Sequence, residues 1–239
     1  MNMRVMLRTV SVVCAFVLGA AGAAPLRYVD DSAVDVARLL PPPPSAESAE
    51  TRAELELLLR VQETRTPSQV ERARADNKIE LASFTPALGP WATAANLPLT
   101  DRLLEEAITD AKHFSDRAKD LFNRPRPHVT EKRIKVAIEG QEGSCYPSGH
   151  ATRGMLLALI LAELAPDKKA ALLERGRELG WARAVAGVHF PSDLTAGRVL
   201  GQAVAQALLA NPAFQQDLAR ARAEVEAARQ GHEKPGRPR

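Results

Sequence analysis

The chain has 239 residues, 45% hydrophobic and 26% charged, a globular profile that excludes collagen-like, disordered and coiled-coil architectures. Aromatic residues make up only 4%, and the abundance of alanine, leucine, glutamate and arginine favours helices over a β-sandwich. A formal charge of +3 gives no basic footprint, so binding to a nucleic-acid polymer is not expected.

The N-terminus reads as an export signal. Arg4 and Arg8 precede an apolar run from Val10 to Ala21, and Ala21-Gly22-Ala23 fits a small-residue cleavage site. Cleavage is expected after Ala23, giving a periplasmic or secreted protein of formal charge +1. The run is short of the about 20 residues that span a bilayer, and no membrane span is expected in the mature chain. Cys145 is then the sole cysteine, which excludes an intramolecular disulfide; it is expected to be a small buried residue beside the site.

Asp35 to Leu40 is expected to form a helical turn ended by Pro41-Pro42-Pro43-Pro44, in an arm lying on the main domain. Leu55, Leu58, Leu59 and Gln62 share one face of a helix over Ala53 to Arg65. Thr66-Pro67 caps and starts a helix over Ser68 to Leu81. Four prolines and a glycine make Thr85 to Pro98 a loop, read as a lid or a dimer contact. Thr100 is expected to cap a long helix to about Phe122, with Leu103, Leu104, Ala107, Ile108 and Ala111 inward, stopped by Arg124-Pro125-Arg126-Pro127. Met155 to Leu164 reads as a central buried helix, followed by helices over Asp167 to Val188 and Leu194 to Ala210. Asn211-Pro212 starts a last helix to about Gln230. The expectation is an all-α single-domain helical bundle over residues 24–230, with residues 231–239 a disordered tail.

Three clusters at helix ends carry chemistry. Lys119-x6-Arg126-Pro127 sets a point charge and a planar donor fork nearly two turns apart, suited to holding an oxyanion. Tyr146-Pro147-Ser148-Gly149-His150 precedes the buried helix. There Ser148, Gly149 and the helix N-terminus offer donors to an anion, with the imidazole of His150 alongside. Arg183-x5-His189-x3-Asp193 pairs an imidazole with a carboxylate that can fix its tautomer, a nucleophile with its orienter. Taken singly, each has an ordinary structural reading as a solvated face or a helix cap. No cluster has the spacing of a metal site, so no metal or other cofactor is expected.

Together the three clusters resemble the three-part signature of the type 2 phosphatidic acid phosphatase (PAP2) superfamily. Within it the chain is similar to the bacterial class A non-specific acid phosphatases, and the likeness continues through Leu40-Pro41-Pro42-Pro43-Pro44, Gly143-Ser144-Cys145 and Asn211-Pro212-Ala213-Phe214-Gln215-Gln216. The resemblance implies a metal-independent phosphatase for small phosphate monoesters, working through a phosphohistidine. His189 would be the nucleophile, Asp193 its orienter and His150 the general acid and base. Lys119, Arg126, Ser148, Gly149 and Arg183 would hold the phosphoryl oxygens. A homodimer or higher homo-oligomer is also what it suggests. Ala182 departs from the serine usual before the arginine of the third motif, removing a hydroxyl that would support the pocket. His128 stands where an aromatic residue is common, and could line the leaving-group pocket or lie at the surface. His113 and His232 are taken as structural or exposed. A vanadate-dependent haloperoxidase shares the same anion pocket, and a catalytically silent phosphate-binding exported protein would share the same motifs.

Overall fold

The computed structural model describes residues 25–139 and 141–233, and all regular structure among them is helical, as one all-α bundle. The expected signal, residues 1–23, and residues 234–239 of the expected tail lie outside the described residues.

The arm is packed down. Tyr28, Val34, Val36 and Leu40 are buried, and Asp110 accepts the backbone N–H groups of Arg27 and Tyr28. Helix α1 (Val36–Leu39) is capped by the Asp35 carboxylate, and the Tyr146 hydroxyl donates to the Pro41 carbonyl just after it, at 2.7 Å.

Several boundaries differ from the sequence reading, each for a physical reason. Helix α2 (Ala49–Thr64) starts ahead of Ala53 because the Ser48 hydroxyl accepts the Thr51 N–H, so cap chemistry sets the start rather than apolar rhythm. Helix α3 (Pro67–Ala75) opens on the Thr66–Gln69 capping box but ends before Leu81. There the Asp76 carboxylate is drawn onto buried Arg175 at 2.5 Å, turning the chain. After a tight turn over Leu81–Phe84, helix α4 (Thr85–Leu88) occupies the start of the span expected to be loop.

Helix α5 runs Pro98–Phe122, and Thr100 is buried inside its first turn instead of capping it. Glu224 does the capping, accepting the N–H groups of Leu99 and Thr100 and the Thr100 hydroxyl. Helix α6 (Pro127–Thr130) is a single turn after the proline break. Helix α7 (Gly149–Leu164) is capped by Ser148. Helix α8 (Lys169–Val185) follows a tight turn over Pro166–Lys168 and stops before Val188. Helix α9 (Pro191–Ala210) and helix α10 (Pro212–Glu233) complete the order. The Asn211 side chain accepts the first amides of α10, which continues past Gln230.

Helix α7 is the centre. Leu156, Leu157, Ala158, Ile160 and Leu161 are at most 1% exposed, so the helix is apolar all round because it is enclosed all round. Glycines let its neighbours approach to backbone contact. A Cβ on Gly201 of α9 would lie 2.4 Å from the Thr152 carbonyl oxygen, and one on Gly197 would lie 2.5 Å from that of Ser148. Gly154 of α7 and Gly176 of α8 meet likewise, a Cβ on either falling within 3 Å of the other's carbonyl oxygen. These contacts fix the α8–α9 corner against the N-terminus of α7.

Gly201→Ala is therefore expected to destabilise the protein by about 1–3 kcal/mol in urea unfolding. Gly231→Ala, where nothing lies within 4 Å, should leave stability unchanged or slightly raised.

Candidate active site

The α8–α9 corner brings Arg183 and His189 to the start of α7. Gly187, at φ +74°, makes the turn between them, where a Cβ would press on Ile134 at 3.0 Å. The Ser148 N–H donates to the Asp193 carbonyl at 3.0 Å, tying the two helix starts together.

His189 is 3% exposed. Its Nδ1 lies 3.2 Å from Asp193 Oδ2, and a carboxylate there accepts, so the proton sits on Nδ1 and the Nε2 lone pair is bare. Nε2 lies 3.5 Å from the Arg126 guanidinium. Burial, only partly offset by Asp193, pulls the His189 pKa down to about 4. Asp193 is also a helix cap: its Oδ2 accepts the Phe190 N–H at 2.8 Å. The two readings of this residue are therefore both realised.

Asp193 has a further partner that the sequence did not single out. Arg124 donates to Asp193 Oδ1 at 2.6 Å, lies over the Phe190 ring at 3.9 Å and reaches Glu54. Glu54 in turn accepts the Ser192 N–H, so α2 holds the start of α9 in place. Arg124 had registered only as a helix stop; no local pattern marks it as the counter-charge of Asp193.

Arg183 is fully buried. Nη1 donates to Asn77 Oδ1 at 3.3 Å, while Nε and Nη2 are buried with no partner among the described residues. Arg126 is more committed, donating to the carbonyls of Val188 and Glu142. Lys119 is partly buried, and its Nζ lies 3.8 Å from where a Gly149 Cβ would stand. Burial and the charges of Arg126 and Arg153 lower the Lys119 pKa, against a raising influence from Asp116. The Ser148 hydroxyl caps α7, accepting the Ala151 N–H. The amides of Gly149 and His150 have no protein acceptor among the described residues, as first-turn amides do not within a helix.

His150 closes the other side. Its Nε2 donates to the Asn77 carbonyl at 2.9 Å, which leaves Nδ1 as the accepting nitrogen, with Arg153 Nη2 3.4 Å away. Burial and the charges of Arg183 and Arg153 hold its pKa far below the usual imidazole value, and His189 also contributes. The eight residues singled out from the sequence thus lie close together: Lys119 beside Gly149, Ser148 tied to Asp193, Asp193 and Arg126 beside His189, and Arg183 near both imidazoles. Asn77 and Arg153 join them. Arg153 was legible as the one charge in the first two turns of an otherwise apolar helix, whereas nothing local marks Asn77.

Cys145 is buried, its thiol donating to the Pro125 carbonyl and raised in pKa chiefly by burial. It forms the one trio of metal-type donors among the described residues, with His189 and Asp193. The Asp193 oxygens already accept from Arg124, Phe190 and His189, and the thiol stays protonated, so the donor set is committed to hydrogen bonds. Ala182 packs among Ala186, Val188 and Ile138, an apolar setting that accepts a methyl. His128 is partly buried with Nδ1 closed off from solvent, and its pKa is lowered by burial, Arg126 and Lys132. His113 pairs with Asp31, and His232 is exposed on α10.

Residues 103–216 match the model of the PAP2 superfamily. An acid phosphatase of Zymomonas mobilis subsp. mobilis is 39% identical over 66% of the chain, which spans 62% of that protein. A non-specific acid phosphatase of Providencia stuartii is 32% identical over 83% of the chain and 84% of its own length. In fold, the chain is similar to a bacterial vanadium-dependent iodoperoxidase, with a TM-score of 0.60 at 18% identity. That likeness covers 77% of this chain and 54% of the iodoperoxidase.

Two sealed guanidinium nitrogens without acceptors predict tight binding of a tetrahedral oxyanion. Inorganic phosphate at about 100 times its Kd should add about 2.7 kcal/mol of stability. In a chain of this size that is a rise of roughly 5–10 °C in Tm. Arg183→Gln should lose most of the rise; an equal rise in both proteins would count against the pocket.

Proposed function

The chain belongs to the non-specific acid phosphatases of the PAP2 superfamily, and on that premise we infer that it hydrolyses small phosphate monoesters through a phosphohistidine on His189. The observation that carries this reading is a fully buried Arg183 guanidinium, two of its nitrogens without a partner among the described residues, near a His189 imidazole whose Nδ1 is held by Asp193.

The steps follow from the geometry. A phosphoryl group seated on Arg183, Lys119, Arg126, the Ser148 hydroxyl and the Gly149 amide has its charge matched by three cations and a helix N-terminus. His189 Nε2 attacks phosphorus in line, forming the P–N bond as the P–O bond to the leaving group breaks. Asp193 accepts the Nδ1 hydrogen bond throughout and balances the growing imidazolium charge. Arg124 in turn holds the Asp193 carboxylate in place. His150 Nδ1 gives its proton to the leaving oxygen, then takes one from the water that hydrolyses the phosphoenzyme.

Burial and two arginines disfavour that proton on His150. Arrival of a phosphate dianion reverses the balance, so substrate itself helps to charge the acid. Phosphoryl transfer of this kind needs positioning and charge stabilisation, which these side chains supply without a metal. The names of the sequence relatives favour a phosphatase over a haloperoxidase, since the iodoperoxidase is a likeness of fold alone. Residues 1–23 are inferred to direct export, placing the enzyme in the periplasm or outside the cell.

His189→Ala and His150→Ala should each lower kcat on p-nitrophenyl phosphate by about a thousandfold or more, and a chelator should leave the wild type unchanged. Retained turnover in His189→Ala would contradict the nucleophile assignment.

The lowered His189 pKa also sets a pH limit. A histidine with a depressed pKa is neutral, hence nucleophilic, above that value and inactive below it. After correction for substrate ionisation, log kcat/KM should therefore hold through the acid range and fall only below about pH 4. A fall beginning near pH 6.5, with the His189 pKa unshifted, would disagree.

A further inference from the structure

Arg153 is a charge the phosphoryl reaction does not use. It leaves α7 one turn after Gly149, partly buried, and no carboxylate among the described residues pairs with it. The nearest acidic influence is Asp116, whose carboxylate is already held by Lys112. A guanidinium withdrawn from water normally finds an anion. Lys119, Arg126 and Arg183 already give a phosphate dianion more positive charge than it carries.

The placement of Arg153 identifies the side it serves. Its Nη2 lies 3.4 Å from His150 Nδ1, the accepting nitrogen once Nε2 is tied to the Asn77 carbonyl. In an in-line displacement the leaving oxygen departs opposite His189, at the residue that protonates it. Asn77 and Arg153, the two partners of His150, also border a cavity of about 510 Å3 floored by Ile79, Leu81, Leu104 and Ile108. A leaving group beside His150 is thus next to Arg153 at the border of that cavity. The rest of the lining is mostly acidic: Glu80, which pairs with Lys78, Asp101 and Glu105, with burial and the neighbouring carboxylates raising the Asp101 pKa. Away from Arg153 an anion meets three carboxylates and one lysine.

We propose that Arg153 is a specificity-determining residue that binds a second anionic group, a carboxylate or phosphate, carried by the leaving group within a few bonds of the scissile oxygen. The planar fork of arginine suits either anion. This rests on the His189–His150 reading of the site. The substrates favoured are short, doubly anionic phosphate esters, and long polyanions are disfavoured by the acidic lining.

The test compares glycerol 2-phosphate with 2-phosphoglycerate, in which one hydroxymethyl becomes a carboxylate beside the same scissile bond. Wild type should show a kcat/KM about tenfold or more higher on 2-phosphoglycerate, the scale of one charged hydrogen bond. Arg153→Gln should bring that ratio to about one, whatever it does to the absolute turnover of glycerol 2-phosphate. Arg153→Lys, which keeps the charge, should restore part of the preference. An unchanged ratio in Arg153→Gln would overturn the proposal. So would equal loss on both substrates together with weaker inhibition by inorganic phosphate, which would assign Arg153 to the phosphoryl group itself. Failure of the wild type on p-nitrophenyl phosphate would instead contradict the parent reading and not the role of Arg153.

Discussion

A guanidinium sealed from water with two nitrogens unbonded is the constraint around which this molecule is arranged. Leaving one buried polar group unpaired costs about 1–3 kcal/mol, and more for a charged group. Arg183 carries that cost because the helices around it are locked by interactions that do not depend on it. Gly197 and Gly201 press α9 onto α7, Gly154 and Gly176 press α8 onto it, and Glu54 with Arg124 holds the start of α9. An oxyanion can supply the partner these nitrogens lack among the described residues, which is preorganisation in physical terms.

The same framework explains why the two imidazoles behave differently. Both are depressed in pKa, chiefly by burial, yet their partners divide their tasks. Asp193 fixes the proton of His189 on Nδ1 and leaves Nε2 without one. A backbone carbonyl pins His150 through Nε2 and adds no charge, so its affinity for a proton follows whatever sits between Arg183 and Arg153. In the mechanism we propose, a carboxylate orients the nucleophile and the bound anion tunes the acid. Asn77 links the two sides, since its carbonyl holds His150 and its side chain holds Arg183. The buried Asp76–Arg175 pair anchors the turn that carries it.

Much of this was legible in the sequence because the site is built at helix ends, where proline, glycine and capping residues leave local marks. The Ser148 cap of α7 and the Asn211 cap of α10 are short-range effects that a reader of residues can find. Among the boundaries that differ, the start of α5 and the end of α3 are decided by distant partners. Glu224 caps α5 from far along the chain, and Arg175 stops α3 by drawing on Asp76. Arg124 and Asn77 escaped notice for the same reason, as their roles exist only once α2, α3 and α9 have met. Arg153 is different: a lone charge in the early turns of a buried helix was a local signal, and its meaning lies in the cavity it borders.

The central claim is that the phosphoryl group passes onto His189 while Arg183 and its neighbours hold it. Rapid mixing of wild-type protein with 32P-labelled substrate, quenched and mapped by peptide, tests it most directly. The account predicts label on the peptide containing His189, stable to base and lost in acid, and absent in His189→Ala. A protein that turns over substrate with no label at His189, or with label on another residue, would contradict it.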